Sequence, residues 1–94
     1  MIFEWDEGKN RINKAKHGVD FETACHVFDD PLLASRVHGI VDGEERWQSV
    51  GTVNGLMLLL VVHLYRVDDT ITIRIISARK ADRNERRHYE NGNF

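Results

Sequence analysis

The feature that most constrains the fold of this chain is an uninterrupted run of seven apolar residues at positions 56–62. A membrane-spanning helix needs about 20 such residues, so this run is too short to cross a bilayer. Asn54-Gly55, immediately before it, is the dipeptide most typical of a two-residue hairpin turn. The segment LMLLLVVHLY is therefore predicted to be a central strand that is covered on both faces.

Other strands are predicted on both sides of this segment. The stretches LLASRVHG and ERWQSVGTV alternate in polarity and are separated by the turn-forming VDGE. A further strand, TITIRIISA, follows the Asp68-Asp69 turn, and IFEW near the N-terminus indicates a short first strand. These patterns predict one antiparallel sheet.

Two helices are predicted between the first strand and the rest of the sheet. Asp6 fits the N-cap of a helix that runs to about His17 and ends at Gly18. Asp20 caps a second helix with helical spacing of its apolar residues, which ends at the DDP sequence 29–31. With a C-terminal helix, the order is β-α-α-β-β-β-β-α, an α+β fold in a single domain over residues 1–94.

Charge is distributed unevenly along the chain. The 94 residues carry a formal net charge of −2, which argues mildly against nucleic-acid binding. Direct DNA recognition is disfavoured further, because the chain has no recognisable DNA-binding motif. Cations concentrate at residues 9–16 and 74–87, whereas most acids lie elsewhere. A single cysteine, Cys25, and the absence of a signal-peptide pattern favour a reducing, cytoplasmic location.

The C-terminal helix, predicted from Arg79 or Lys80 to about Glu90 and followed by a frayed NGNF tail, is rich in arginine. On a helical wheel four of its residues fall in one narrow stripe: Arg79, Arg83, Arg86 and Glu90. Ala81 and an aromatic edge are expected to pack inward. The stripe could be a solvated face held by pairs such as Asp82–Arg86. Bidentate binding of phosphate or carboxylate explains the preference for arginine over lysine better, and Arg79 is the favoured residue.

Histidines supply the other candidate chemistry. His17 lies at the C-terminal end of the first predicted helix. It could interact favourably with the free carbonyl groups there, or act as a general acid or base. His26 lies in the second helix, and His38 and His63 are expected on strand surfaces. No histidine pair has metal-site spacing with a nearby carboxylate, so neither a metal nor another cofactor is predicted.

Taken together, FEWDEGKNRINKAKHGVDF, VFDDP and ISARKADRNERRHYE closely resemble the BrnT family of type II toxins over nearly the whole chain. The resemblance implies a RelE-like fold and a bacterial ribonuclease toxin that inhibits translation. It also implies neutralisation by a BrnA-like antitoxin with a ribbon-helix-helix domain, in a heterotetramer that contacts DNA through the antitoxin.

Metal-independent RNA cleavage requires a base for the 2′-hydroxyl, an acid for the leaving 5′-oxygen and cations for the phosphoryl charge. In this chain His17 or Glu85 could be the base, with Tyr89 or the other of the two as the acid. The expected electrostatic and phosphate-binding residues are Arg79, Arg83, Arg86, Lys9 and Lys16. This arrangement requires the first and last helices to converge on one face.

A binding module that docks an acidic partner and catalyses nothing is the alternative. The same arginines would serve such a module. Cleavage of RNA by the purified chain without divalent metal separates the two hypotheses.

Overall fold

The computed structural model describes all residues from 1 to 94 and contains one five-stranded sheet with helices on both faces. Its elements are β1 Ile2–Glu4, α1 Glu7–His17, α2 Phe21–Cys25, a 3₁₀ turn His26–Asp29, β2 Ala34–Val41, β3 Glu44–Val53, β4 Met57–Val67, β5 Ile71–Lys80 and α3 Arg83–Asn91. The strand order is β1-β5-β4-β3-β2. The predicted α+β class and element order are confirmed. No helix in the structure is both long and apolar enough to span a membrane.

The sheet is mixed, because β1 pairs in parallel with β5 while the other three pairs are antiparallel. The expectation of a wholly antiparallel sheet was therefore wrong at this edge. A three-residue strand carries no pattern that indicates its direction, and its partner lies about 70 positions later in the chain.

The predicted central strand is confirmed as β4, and its alternate residues serve two separate apolar clusters. Leu59 and Val61 are fully buried with residues of α2 and the 3₁₀ turn. Leu58 and Leu60 belong to a second cluster that packs against Tyr89 of α3. Because successive side chains of a strand point to opposite faces, α3 lies on the face opposite α2.

Two tight turns, at Asp42-Gly43 and Asn54-Gly55, and two helix caps form as the sequence predicts. Asn54 and Gly55 have φ angles of 54° and 69°, the left-handed conformation that a type I′ hairpin requires at both positions. Asp6 accepts a hydrogen bond from the backbone N–H of Lys9 at the start of α1, which ends at Gly18. Asp20 caps α2 in the same way.

The C-terminal helix begins later than predicted. Antiparallel pairing with β4 keeps β5 extended through Lys80, so Arg79 belongs to a strand and not to the helix. Asp82 is the N-cap of α3, and Asp82 and Glu85 form a reciprocal capping box. The helical-wheel stripe that included Arg79 is therefore wrong, because three residues of non-helical chain separate that arginine from α3.

The expected frayed tail is instead ordered against the sheet. Gly92 adopts φ 70°, and the backbone N–H groups of Gly92 and Asn93 donate to the carbonyls of Tyr89 and His88. This is a Schellman motif, which turns the chain back at the helix end. Phe94 then packs on the second apolar cluster, the one beside α3 (the α3 cluster). The Arg36 guanidinium carbon lies over the Phe94 ring, 4.2 Å from its centroid.

One buried amide joins α1 to the outer edge of β5. Asn13 donates through Nδ2 to the carbonyls of Val19 and Ala78, at 2.9 and 2.8 Å. Its Oδ1 accepts from the Ala78 N–H at 3.2 Å, so the side chain makes the two contacts that a neighbouring strand would make. Since β1 pairs only with Thr72–Arg74 of β5, this amide satisfies a strand edge that β1 leaves open.

Asn13→Ala is expected to lower the free energy of unfolding by about 3 kcal/mol, because it leaves the buried Ala78 N–H and two carbonyls without partners. Urea denaturation measures the change, with Lys14→Ala on the same helix as an exposed control. A loss below about 1 kcal/mol would mean that other contacts hold α1 on the sheet.

His63 is fully buried, contrary to the expectation that it lies on a strand surface. Its Nε2 lies 2.7 Å from the Ser49 hydroxyl, which lies 2.7 Å from the Ser35 hydroxyl, while Nδ1 has no hydrogen-bond partner. The rings of Phe28 and Tyr65 meet the imidazole edge to face. Burial lowers the pKa of His63 from 6.5 to about 4.

This buried imidazole makes stability depend on pH. Between pH 6.5 and 4 the unfolded chain binds a proton at His63 that the folded chain excludes. The stabilising contribution is complete above pH 6.5, and its loss over this interval amounts to about 3 kcal/mol. Unfolding measured at successive pH values should show a steeper decline for the wild type than for His63→Gln. If the free energy of unfolding fell equally with pH in both proteins, His63 would not be the cause of the pH dependence.

Candidate functional site

The strongest candidate for phosphate chemistry is the guanidinium of Arg79, which a buried carboxylate holds at the end of β5. Nη1 and Nη2 of Arg79 donate to Oε1 and Oε2 of Glu85, each at 2.9 Å. The Glu85 side chain is 10% exposed, whereas the Arg79 side chain is 38% exposed. The pair therefore joins a fixed inner carboxylate to a guanidinium that solvent and ligands reach.

The contacts of Arg79 leave one edge of its guanidinium free. Nη1 makes a second hydrogen bond to the Lys80 carbonyl at 3.2 Å, so both of its N–H groups are engaged. Nε–H and the second Nη2–H have no acceptor in the protein, and these two donors are parallel. Such a fork matches two oxygens of a phosphate. Hydrogen bonding to Glu85 also raises the pKa of Arg79, which keeps the positive charge in place.

Glu85 has three hydrogen bonds on its two oxygens. Besides the two from Arg79, Oε1 accepts from the backbone N–H of Asp82 at 2.8 Å. The Asp82 carboxylate in turn accepts from the Glu85 N–H at 2.8 Å. This use of Asp82 as a cap explains why the predicted Asp82–Arg86 ion pair is absent. The geometry suits Glu85 to orienting Arg79 more than to removing a substrate proton.

Tyr89 forms a contact that sequence reasoning did not anticipate. Its hydroxyl donates to Oδ2 of Asp30 at 2.6 Å, and the backbone and hydroxyl of Thr52 donate to the same oxygen. Burial raises the pKa of Asp30, but the hydrogen bonds from Tyr89, Thr52 and Leu32 outweigh it and hold that pKa below its ordinary value. Burial and the bond to Asp30 raise the pKa of Tyr89. These bonds tie α3 to β3 and to the end of the 3₁₀ turn.

A second group of candidates lines a groove between α1 and β5. The groove, about 210 Å³ in volume, is lined by Lys9, Ile12, Asn13, Lys16, His17, Ile76 and Ser77. His17 is half-buried there and has no hydrogen-bond or ion-pair partner in the structure. The Asn13 amide fixes this helix on β5, and His17 lies one turn beyond it. The structure thus brings Lys9, Lys16 and His17 together.

The two groups line different surfaces at the end of β5. The α1 groove reaches Ile76 and Ser77, and Arg79 follows Ser77 by two residues on the same strand. Because alternate strand residues point to one face, Ser77 and Arg79 lie on the same face, about 7 Å apart along the strand. The convergence of the first and last helices on one face, which the predicted mechanism required, stays a prediction.

The remaining predicted cations lie on the exposed surface of α3. Arg83 and Arg86 are exposed and form no ion pair. Arg86 and Lys80 border an apolar groove of about 240 Å³ that continues to Met57 and Leu58. No group of three or more His, Cys, Asp or Glu side chains is placed to hold a metal ion.

Sequence reasoning did not identify two residues that position the site. Asn13 and Asp30 are polar residues whose partners lie 65 and 59 positions away, at Ala78 and Tyr89. Asn13 lies among exposed helix residues, and Asp30 precedes a proline in what reads as an ordinary turn. Neither pattern indicates a long-range hydrogen bond.

The sequence profile of one protein family, described as "Ribonuclease toxin, BrnT, of type II toxin-antitoxin system", matches residues 5–85. The chain belongs to the BrnT family. The predicted resemblance is confirmed, and the matched segment includes both Arg79 with Glu85 and the α1 groove. BrnT proteins are ribonuclease toxins of type II toxin-antitoxin systems, so the family implies an RNA target and an antitoxin partner.

The fold agrees with a solved BrnT protein. The crystal structure of the Brucella abortus ribonuclease toxin BrnT superposes with a TM-score of 0.61 at 27% sequence identity, covering 88% of this chain and 100% of that chain. A search of proteins with curated functions gave no match.

Proposed function

We propose that this chain is a metal-independent endoribonuclease that inhibits translation, and that Arg79 binds the scissile phosphate. The free Nε/Nη2 fork of Arg79, held in place by the buried Glu85 carboxylate, is the observation that carries the proposal. A guanidinium fixed before substrate arrives stabilises the charge of the transition state without reorganising. A solvated arginine would lose side-chain entropy on binding, and Arg79 has already lost most of it.

In the proposed reaction the ribose 2′-oxygen attacks the adjacent phosphorus while a base removes the 2′-hydroxyl proton. The bond from phosphorus to the 5′-oxygen breaks, and an acid protonates the departing oxygen. The products are a 2′,3′-cyclic phosphate and a 5′-hydroxyl. Arg79 pairs its free fork with the two non-bridging oxygens, whose negative charge increases in the transition state.

We assign proton transfer to His17 in preference to Glu85 or Tyr89. Both oxygens of Glu85 are engaged, and the Tyr89 proton is donated to Asp30. The His17 ring has no partner and lies beside Lys9 and Lys16, which can hold flanking phosphates. The assignment requires the scissile nucleotide to lie across the end of β5, within reach of both His17 and Arg79, with Arg83 and Arg86 on the α3 side.

We also propose a BrnA-like antitoxin with a ribbon-helix-helix domain, assembled with the toxin as a heterotetramer that contacts DNA through the antitoxin. The type II family and the lack of a DNA-binding motif in this chain support this partner. Light scattering of the purified complex tests the stoichiometry, and a mass equal to one copy of each chain would exclude the heterotetramer.

Arg79→Ala is expected to lower the rate of RNA cleavage about 100- to 1000-fold, as loss of a transition-state donor does. Arg79→Lys keeps the charge but lacks the fork, so it should lose nearly as much. Glu85→Gln should lose roughly tenfold, because the guanidinium is then misplaced. A labelled RNA, the purified chain and excess chelator suffice for the assay.

Arg87→Ala is the matched control, since it removes an exposed arginine of α3 that has no partner in the structure. Circular dichroism confirms that each variant is folded. Induced expression in bacteria, with growth and total RNA followed, tests inhibition of translation alongside the Arg79→Ala/Glu85→Ala double variant. Wild-type cleavage by Arg79→Ala removes this residue from the mechanism, and intact RNA with soluble wild-type protein favours the non-catalytic binding module.

The proton-transfer assignment predicts opposite outcomes for two variants. His17→Gln should lower kcat about 100-fold, because it removes the proposed proton-transfer group. Tyr89→Phe should leave the rate near that of the wild type and lower the free energy of unfolding by about 1 kcal/mol, the contribution of one hydrogen bond. Loss of cleavage in Tyr89→Phe with activity retained in His17→Gln would instead identify Tyr89 as the acid.

A further inference from the structure

The helices leave part of one sheet face uncovered, and that part is apolar. Val37 is paired opposite Trp47, Val67 is opposite Ile71, and the Trp47 and Tyr65 rings pack edge to face at 5.3 Å. Strand alternation places all five side chains on the same face. We call these residues and Ile40 the uncovered face.

The uncovered face begins where the helical layer stops. Phe28 of the 3₁₀ turn packs against His63, which is fully buried. Two residues further along β4, Tyr65 is 38% exposed, and Val67 is 70% exposed. Six apolar residues concentrated at one end of a small sheet exceed the scattered exposure that is normal for a soluble surface.

Acidic residues surround the uncovered face. They lie in two turns at the same end of the sheet, since the start of β3 lies beside the end of β4. They are Asp42, Glu44, Glu45, Asp68 and Asp69. None of the five forms an ion pair. Between the turns a groove of about 590 Å³ is lined by Trp47, Tyr65, Val67 and the two glutamates.

The charge of this rim determines which occupants fit. Nucleic acid and anionic membrane surfaces carry phosphate, which five carboxylates repel. A two-fold contact with a second copy would place the same acidic rim against itself. A polypeptide segment with apolar anchors flanked by lysine or arginine satisfies both the apolar groove and its rim.

We infer that the uncovered face is the docking site for a cationic amphipathic segment of a partner protein. Trp47 and Tyr65 provide aromatic anchors of the kind that dominate binding energy at protein interfaces, and the carboxylates steer the cationic segment. The site lies at the opposite end of β5 from Arg79, roughly 26 Å away along the strand. A partner anchored here leaves the Arg79 fork open unless another part of it extends to that end.

The inference does not depend on ribonuclease activity, so it is tested by binding. The probe is a synthetic leucine/lysine peptide of about 18 residues, long enough for about five helical turns. The same peptide with glutamate in place of lysine is the charge control. Titration into the isotope-labelled chain should shift the Trp47 indole and backbone signals of β2–β4, and rising salt should weaken binding. The glutamate peptide should leave the spectrum unchanged.

Matched variants locate the contact. Val67→Lys and the double variant Glu44→Lys/Glu45→Lys should each raise Kd about tenfold or more. Leu56→Lys places the same change at an exposed residue outside the uncovered face and should have no effect. All three should cleave RNA as the wild type does, and melting curves show that they are folded.

Three outcomes would overturn the inference. The lysine peptide could leave the Trp47 region unperturbed, or the glutamate peptide could bind equally well. Sedimentation could also show that the wild type self-associates while Val67→Lys stays monomeric, in which case a second copy occupies the face.

Discussion

The candidate site depends on the Asn13 side-chain amide, which holds α1 against β5. Its oxygen and both of its N–H groups are engaged, two of the contacts being with the backbone of Ala78. The two hydrogen bonds to Ala78 fix Lys9, Lys16 and His17 beside β5. Arg79 follows Ala78 in the strand. A buried polar side chain with every group satisfied specifies one position, whereas apolar contacts tolerate sliding. Helix α1 needs such a fixed point because it contributes only Asn13 to the buried residues.

Beside the end of β5, Glu85 joins the start of α3 to Arg79. Its carboxylate accepts from the Asp82 N–H at the start of α3 and holds both terminal nitrogens of Arg79. The interaction that begins the helix therefore also aims the guanidinium. Asp30 does similar work at the other end of α3, where the Tyr89 hydroxyl reaches it. Two carboxylates thus place a short helix that carries little apolar surface of its own.

The net charge of −2 does not indicate that cations and acids lie at different ends of the sheet. Cations border Arg79 and line the α1 groove, while unpaired acids gather around the uncovered face at the far end of the sheet. The net charge adds together a basic surface and an acidic surface. Each surface nevertheless attracts or repels ligands locally, because salt screens its field within about 10 Å. The modest charge is therefore compatible with an RNA-binding end and a separate acidic end suited to a cationic protein segment.

The sequence by itself determined the α+β class, the central strand, both hairpin turns next to it and the caps of α1 and α2, because these follow from local patterns and from turn and capping chemistry. It also pointed to Arg79 and Glu85, and to the BrnT family. Only the tertiary structure decided that Arg79 ends a strand, that β1 runs parallel to β5, that His63 is buried and that Phe94 folds back. Each of these depends on a partner distant in sequence: Leu60 for Arg79, Thr72–Arg74 for β1, Ser49 for His63 and the α3 cluster for Phe94. Local periodicity cannot indicate such partners, because pairing across the sheet outweighs the intrinsic preference of a short segment.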